Sequence, residues 1–221
     1  MTETGFTTML DLIELMSANL EAGAGLEGLG AVSPVTSPAG GVLICGMGGS
    51  AIAGDLLAPV AASQGLRIAV WRDYGLPGWV RDDTLVILSS YSGNTEETLS
   101  AAREAAARGC PLYAITSGGE LARYAADGIA GGAPFNRITL PGTLPPRAAL
   151  GYGLGAQANL LSRLGLLAGI DAEIESAVAT LRDGVKRLGP ASADDSPAKA
   201  AARLILGRML VVYTTSEESH A

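Results

Sequence analysis

The sequence predicts an α/β fold, a doubly wound parallel sheet of about five strands with flanking helices, followed by C-terminal helices. Short apolar runs that suit buried strands alternate with helical segments between residues 42 and 140, which is typical of βαβ units. Apolar residues make up 48% of the chain, enough to fill a large core. Because glycine and alanine are abundant and aromatic residues are few, we expect the helices to lie close to the sheet.

The predicted strands are short and mostly apolar. They cover residues 42–45, 67–71, 84–88, 111–116 and 137–140. The first is apolar at every position and ends at a glycine, as expected for a strand buried on both faces. Helices are predicted from hydrophobic spacing at residues 6–20, 50–62, 94–108, 121–126, 148–167, 172–188 and 194–206.

The chain is predicted to have three parts. Residues 1–40 provide a helix and then a connection rich in glycine and proline. Residues 41–165 are the α/β domain that is expected to bind the ligand. In residues 166–221 helices lead to an apolar run at 209–213, which we interpret as the first strand of an incomplete second α/β unit.

The charge of the chain limits the partners that we expect. The formal net charge is −7, from 15 basic and 22 acidic residues. Since an acidic surface repels polyanions, nucleic acid is not an expected partner. A phosphate group would have to be held by local donors such as backbone amides and hydroxyls.

Metal binding, membrane insertion and secretion are not predicted. Cys45 and Cys110 lie beside apolar runs and are expected to be buried, reduced thiols. No Cys/His group has metal-ligand spacing, and His220, the only histidine, lies next to the C-terminus. The sequence shows neither a signal peptide nor an apolar stretch of membrane length, so we expect a cytoplasmic protein.

A glycine-rich segment joins the first predicted strand to its helix. It reads Gly-Met-Gly-Gly-Ser over residues 46–50. Glycines let backbone N–H groups approach a ligand closely, and a helix N-terminus adds free N–H donors and a partial positive charge. We therefore predict an anion held by Gly48, Gly49 and Ser50. A tight turn without a ligand is the alternative.

Three hydroxyl residues follow the third predicted strand. They are Ser90, Ser92 and Thr95, on one short turn before a helix. A capping pair of Asn94 and Glu97 would mark the helix start, but it does not explain the two serines. Because ligands of open α/β folds bind at the carboxyl ends of the strands, we predict that both loops hold one phosphate.

Arg147 follows two prolines at the predicted start of a helix. The helix dipole disfavours a cation at that position, so the residue is a candidate for a role in the site. A guanidinium can stabilise a developing enediolate oxyanion. The alternative is an ion pair with a surface carboxylate.

These motifs resemble the sugar isomerase (SIS) domain superfamily. The segments at residues 46–50 and 90–98 match the general SIS pattern, whereas Pro-Arg-Ala-Ala-Leu-Gly at 146–151 is similar to the bifunctional phosphoglucose/phosphomannose isomerases. The resemblance implies interconversion of glucose 6-phosphate or mannose 6-phosphate with fructose 6-phosphate through a cis-enediol, without metal or cofactor, by a homodimer. It assigns enediol formation to Arg147 and sugar-phosphate binding to Gly48, Gly49, Ser50, Ser90, Ser92 and Thr95.

The resemblance is incomplete, and two alternatives stay open. The family places a catalytic glutamate, a histidine and a lysine in a second SIS domain, and no residue of this chain matches its general base. A non-catalytic sugar-phosphate-binding protein is therefore one alternative. A dinucleotide-binding enzyme is the other, because Gly46-x-Gly48-x-x-Ala51 approximates the Rossmann fingerprint, although Ala51 replaces its third glycine.

Overall fold

The computed structural model describes residues 9–26 and 38–211. The strands of the structure are β1 (Val42–Cys45), β2 (Ile68–Trp71), β3 (Leu85–Ser89), β4 (Leu112–Thr116) and β5 (Asn136–Thr139). The helices are α1 (Met9–Glu14), α2 (Met16–Ala24), α3 (Gly49–Ser63), α4 (Glu96–Ala107), α5 (Gly119–Asp127), α6 (Leu150–Arg163), α7 (Ile170–Leu188) and α8 (Pro197–Ile205). A 3₁₀ turn over Pro146–Ala149 leads into α6.

The five strands form one parallel sheet in the order β2-β1-β3-β4-β5. Val42 of β1 pairs with Ile68 of β2 on one side and with Leu85 of β3 on the other. The predicted fold class is confirmed. The strand order reverses between β1 and β3, and such a topological switch point opens a crevice at the carboxyl ends of the two strands.

Hydrophobic cores lie on opposite faces of the sheet. Alternate residues of β1 enter different cores, Val42 and Ile44 on one face and Leu43 and Cys45 on the other. Helices α3 and α6 close the first core, and α4 and α5 close the second. The second core contains many alanines of α4 and α5, which lets these helices lie close to the sheet as predicted.

The N-terminal helix differs from its prediction. Residues 9–24 form two helices that meet at Leu15, and residues 6–8 lie outside the described ranges. Helix α2 continues to Ala24, past the predicted end at residue 20. The reason is tertiary, because Gly23 lies against α6 so closely that a Cβ there would be 2.6 Å from the carbonyl oxygen of Tyr152.

The strand predicted at residues 209–213 is wrong in its described part. Residues 209–211 have no regular secondary structure, and Met209 is 92% exposed. A strand needs a neighbour to pair its N–H and C=O groups, and the described sheet ends at β2 and β5. Residues 212–213 lie outside the described ranges. The three-part division of the chain stays a prediction.

Candidate functional site

One hollow joins the two loops that the sequence singles out. Its volume is about 450 Å³, and it lies beside the ends of β1 and β3 and the 3₁₀ turn before α6. The residues lining it are Met47, Gly48, Gly49, Ser50, Tyr91, Ser92, Thr95, Pro146 and Arg147. Six of the seven predicted site residues therefore meet in one place, and the seventh, Ser90, does not line the hollow.

The glycine loop (residues 46–50) turns from β1 into α3. Gly48 is the N-cap residue and has a φ of +49°, a conformation that favours glycine. A Cβ at Gly48 would meet no atom within 4 Å, and one at Gly49 would lie 3.6 Å from the Pro146 carbonyl oxygen. The N–H groups of Ser50 and Ala51 donate to the carbonyl oxygens of Met47 and Gly48 at 3.1 and 3.0 Å. The donors that the start of α3 offers to the hollow are therefore the N–H of Gly49, which as the first helical residue has no partner within the helix, and the hydroxyl of Ser50.

The hydroxyl loop (residues 90–95) contains one buried and two accessible hydroxyl residues. Ser90 is only 2% exposed; its Oγ lies 2.9 Å from Thr95 Oγ1 and accepts a hydrogen bond from the N–H of Gly93 at 3.1 Å. Ser92 is exposed, and its Oγ accepts the N–H of Asn94 at 3.2 Å. Ser90 thus shapes the loop from inside, while Ser92 and Thr95 face the hollow.

The predicted capping pair of Asn94 and Glu97 is wrong. Thr95 is the N-cap residue of α4 and makes no side-chain capping bond. Asn94 Oδ1 instead accepts the N–H of Glu120, in the first turn of α5, at 3.0 Å. The side chain caps a neighbouring helix because the loops after β3 and β4 pack against each other.

A supporting loop (residues 117–121) holds the hydroxyl loop in place. The N–H and Oγ of Ser117 both donate to the carbonyl oxygen of Tyr91, at 3.0 and 2.6 Å. The N–H of Leu121 donates to the carbonyl oxygen of Gly93 at 2.9 Å. Gly93 has a φ of +71°, and a Cβ there would overlap the Gly118 carbonyl. Sequence reasoning missed this loop, although Ser-Gly-Gly at a strand end was a visible signal.

Tyr91 connects the hydroxyl loop to the segment that precedes Arg147. Its ring is buried, at 9% exposure. The hydroxyl donates to the carbonyl oxygen of Pro141 at 2.6 Å and accepts the N–H of Leu144 at 2.9 Å. No local pattern singles out this tyrosine, since its partners lie about 50 residues further along the chain.

Gln157 of α6 is a second residue that the sequence analysis missed. It is completely buried, and its Nε2 donates to the carbonyl oxygen of Ser50 at 3.3 Å and to Ser89 Oγ at 3.2 Å. One amide therefore ties the first turn of α3 to the end of β3. Its Oε1 is buried and has no partner within the described ranges. A glutamine between two alanines of a helix that is mostly apolar was the available signal.

Arg147 is exposed in the 3₁₀ turn at the edge of the hollow. The alternative of a surface ion pair is not what the structure shows, because no carboxylate of residues 9–26 or 38–211 lies within ion-pair distance of its guanidinium. No carboxylate or imidazole of the described residues lines the hollow either. The site therefore combines one cation with neutral donors.

The structure also shows where the two cysteines lie, and it bears on metal binding and membrane insertion. Cys45 and Cys110 are buried free thiols, as predicted, and burial raises the pKa of Cys45 to about 12. His220 lies outside the described ranges. In the part of the chain that the structure describes, no cluster of three or more His, Cys, Asp or Glu could hold a metal. No helix there is both long and apolar enough to cross a bilayer.

The sheet and its two loops lie in the part of the chain that is similar to a SIS domain. Residues 37–143 match the family model for that domain. The matched region contains the whole five-stranded sheet together with the glycine and hydroxyl loops. The resemblance inferred from the loops is thereby confirmed.

The curated relatives that the chain matches are bifunctional phosphoglucose/phosphomannose isomerases. The protein from Caldicellulosiruptor bescii is 39% identical over 151 residues, which are 67% of this chain and 43% of the relative. The protein from Aquifex aeolicus is 35% identical over 187 residues, which are 83% of this chain and 53% of the relative. The chain thus spans about half the length of these relatives.

Solved structures show the same fold at low sequence identity. A Silicibacter pomeroyi protein, assigned provisionally as a phosphosugar isomerase, matches with a TM-score of 0.57 at 18% identity, covering 82% of this chain and 57% of its own. The Vibrio vulnificus NanR protein complexed with ManNAc-6P matches with a TM-score of 0.50 at 18% identity, covering 79% of this chain and 68% of its own. These likenesses show the fold alone.

Proposed function

We propose that this chain is the sugar-phosphate-binding part of an aldose–ketose isomerase. The reaction is the interconversion of glucose 6-phosphate or mannose 6-phosphate with fructose 6-phosphate through a cis-enediol. The observation that carries the proposal is the single hollow in which the glycine loop, the hydroxyl loop and Arg147 meet. The isomerases related to this chain supply the reaction class.

The phosphate binds between two helix N-termini in this proposal. Gly49 is the first residue of α3 and Thr95 is the N-cap of α4, and both line the hollow. Each helix start contributes a partial positive charge, and the first residue of each helix, Gly49 or Glu96, contributes a backbone N–H that has no partner within the helix. The hydroxyls of Ser50, Ser92 and Thr95 add neutral donors. Binding of ManNAc-6P by NanR, which has the same fold, supports a sugar phosphate as the ligand.

Arg147 acts on the sugar rather than only on the phosphate. Its permanent charge can stabilise the oxyanion that develops as the enediol forms. Proton transfer between C1 and C2 also needs a base within hydrogen-bond reach. Because no carboxylate or imidazole of the described residues lines the hollow, that base comes from outside these residues. Ser90 contributes by holding the loop, through its bonds to Thr95 and Gly93.

Ligand-induced thermal stabilisation tests the binding site. Fructose 6-phosphate at about one hundred times its Kd would stabilise the chain by about 2.7 kcal/mol, a Tm increase of roughly 5–10 °C at this chain length. The double variant Ser92→Ala/Thr95→Ala is expected to lose this increase. The control Ser63→Ala/Thr180→Ala removes two exposed hydroxyls that bond only to their own helix backbone. An undiminished Tm increase in the first double variant contradicts the proposed loop contacts.

A non-catalytic sugar-phosphate-binding protein is the second candidate, and the lack of a base lining the described hollow favours it. Both candidates predict binding without appreciable isomerisation by the purified chain. They differ when the chain is mixed with the region of the Caldicellulosiruptor bescii relative that the match leaves uncovered. If the chain is part of an isomerase, the mixture is expected to convert fructose 6-phosphate. If the chain is a binding protein without activity, the mixture is expected to show no conversion.

The proposal also covers location, assembly and other ligands. We propose a cytoplasmic homodimer that binds no nucleic acid. Light scattering with and without DNA would test the assembly and the absence of DNA binding. A dinucleotide is not the favoured ligand, since the hydroxyl loop shares the hollow and Ala51 stands at the third glycine position. Titration with NADH is expected to leave the protein's fluorescence and Tm unchanged.

A further inference from the structure

Tyr91 has its backbone in the hydroxyl loop and its side chain in contact with another part of the chain. Its phenol hydroxyl donates to the carbonyl oxygen of Pro141 and accepts the N–H of Leu144, at 2.6 and 2.9 Å. Because a phenol has one O–H donor, the donor is fully used. The hydroxyl therefore donates to the backbone of residues 141–144 and not to a ligand.

Residues 141–144, the segment that the Tyr91 hydroxyl holds, lead directly to Arg147. Only Pro145 and Pro146 separate Leu144 from Arg147, and proline rings fix φ near −65°. Pro145 has a φ of −59° and a ψ of 141°. A stiff connection of this kind transmits a displacement of Leu144 to Arg147 with little loss.

The guanidinium of Arg147 has no anchor of its own among the described residues. It forms no ion pair there, so the position of its backbone sets the region that the guanidinium can reach. Behind it, Ala148 and Ala149 are buried. Before Arg147 in the chain, residues 141–144 are held by the hydroxyl of Tyr91. The backbone of Tyr91 is itself held, because its carbonyl oxygen accepts two hydrogen bonds from Ser117.

We propose that Tyr91 is a positioning residue that sets the place of Arg147 relative to the phosphate-binding hydroxyl loop. One side chain joins the loop that holds the phosphate to the turn that carries the cation, so the distance between them is fixed before a ligand arrives. This inference rests on the proposed function for its ligand-binding test. Its structural core, the clamp on residues 141–144, can be tested without a ligand.

The variant Tyr91→Phe removes the hydroxyl and keeps the ring. Tyr113→Phe is the matched control, since Tyr113 of β4 belongs to the same core and is also 9% exposed. We expect fructose 6-phosphate to bind about tenfold more weakly to Tyr91→Phe and with near-normal affinity to Tyr113→Phe. In an Arg147→Ala background, Tyr91→Phe is expected to cause no further loss, because its effect passes through Arg147.

Hydrogen exchange provides the ligand-free readout. Tyr91→Phe should speed exchange of the Leu144 amide and of residues 147–149, while Tyr113→Phe leaves both unchanged. Unchanged exchange in Tyr91→Phe overturns the proposal whatever the ligand data show. So does a loss of affinity that simply adds to that of Arg147→Ala, which would mean that Tyr91 acts on the hydroxyl loop alone. If the unmodified chain fails to bind fructose 6-phosphate, the proposed function fails, and the exchange data still decide whether the clamp exists.

Discussion

Replacement of Gly93 by alanine tests how the hydroxyl loop is held. Gly93 lies between Ser92 and Asn94 at a φ of +71°, with its backbone pressed against the supporting loop. A Cβ built there overlaps the carbonyl oxygen of Gly118 and lies 2.8 Å from the carbonyl carbon. Since ordinary carbon–carbon contacts are about 3.5–4.0 Å, and the obstacle is backbone, a rotamer change cannot relieve the overlap.

The expected cost has two parts. Left-handed backbone geometry costs a residue with a Cβ about 1–2 kcal/mol. Forcing an extra carbon into a packed contact costs about 1–3 kcal/mol more. Gly93→Ala should therefore lower the free energy of unfolding by about 2–5 kcal/mol, a large fraction of the usual total of about 5–15 kcal/mol.

Gly65→Ala is the matched control. Gly65 has a φ of +80°, but a Cβ there would meet no atom within 4 Å. It carries only the backbone cost, about 1–2 kcal/mol. Urea denaturation followed by circular dichroism measures both variants, and the difference between them, about 1–3 kcal/mol, is the contribution of the contact between the loops. Equal losses in the two variants would falsify the view that the supporting loop fixes the hydroxyl loop.

Three further predictions follow from individual side chains. Arg147→Ala should change the free energy of unfolding by less than about 0.5 kcal/mol, because the side chain is exposed and unpaired among the described residues. The same variant should lose most of the stabilisation by fructose 6-phosphate. A loss of stability without a change in binding contradicts the proposed role of Arg147. Asn94→Ala should destabilise by about 1 kcal/mol in urea denaturation, since the Glu120 N–H loses its acceptor, and Asn94→Asp should restore most of that loss. Burial raises the pKa of Cys45 from 9.0 to about 12, so above pH 9 the thiol ionises only in the unfolded chain and stability falls by up to about 1.4 kcal/mol per pH unit. The free energy of unfolding of Cys45→Ala should lack this component, and a pH-independent difference between the two proteins would show the thiol to be freely ionisable.

Local patterns in the sequence were sufficient to predict the strands and the two loops. The fully apolar run at Val42–Cys45 predicts a strand buried on both faces, and the structure buries all four residues. The glycine and hydroxyl residues after β1 and β3 could be recognised because turn geometry and hydrogen-bonding groups depend on residue type alone. The sixth strand at residues 209–213 was predicted by the same logic and failed in its described part, because a strand also needs a neighbour.

Only the tertiary structure decided which groups meet. The strand order places β1 beside β3, and this brings Ser50 and Ser92 to one hollow. Packing turned Ser90 inward, gave Asn94 a partner in another helix and connected Tyr91 to a segment about 50 residues away. Residue type and spacing determine local conformation and burial, whereas partners distant in the chain are chosen by how the helices and loops pack on the sheet.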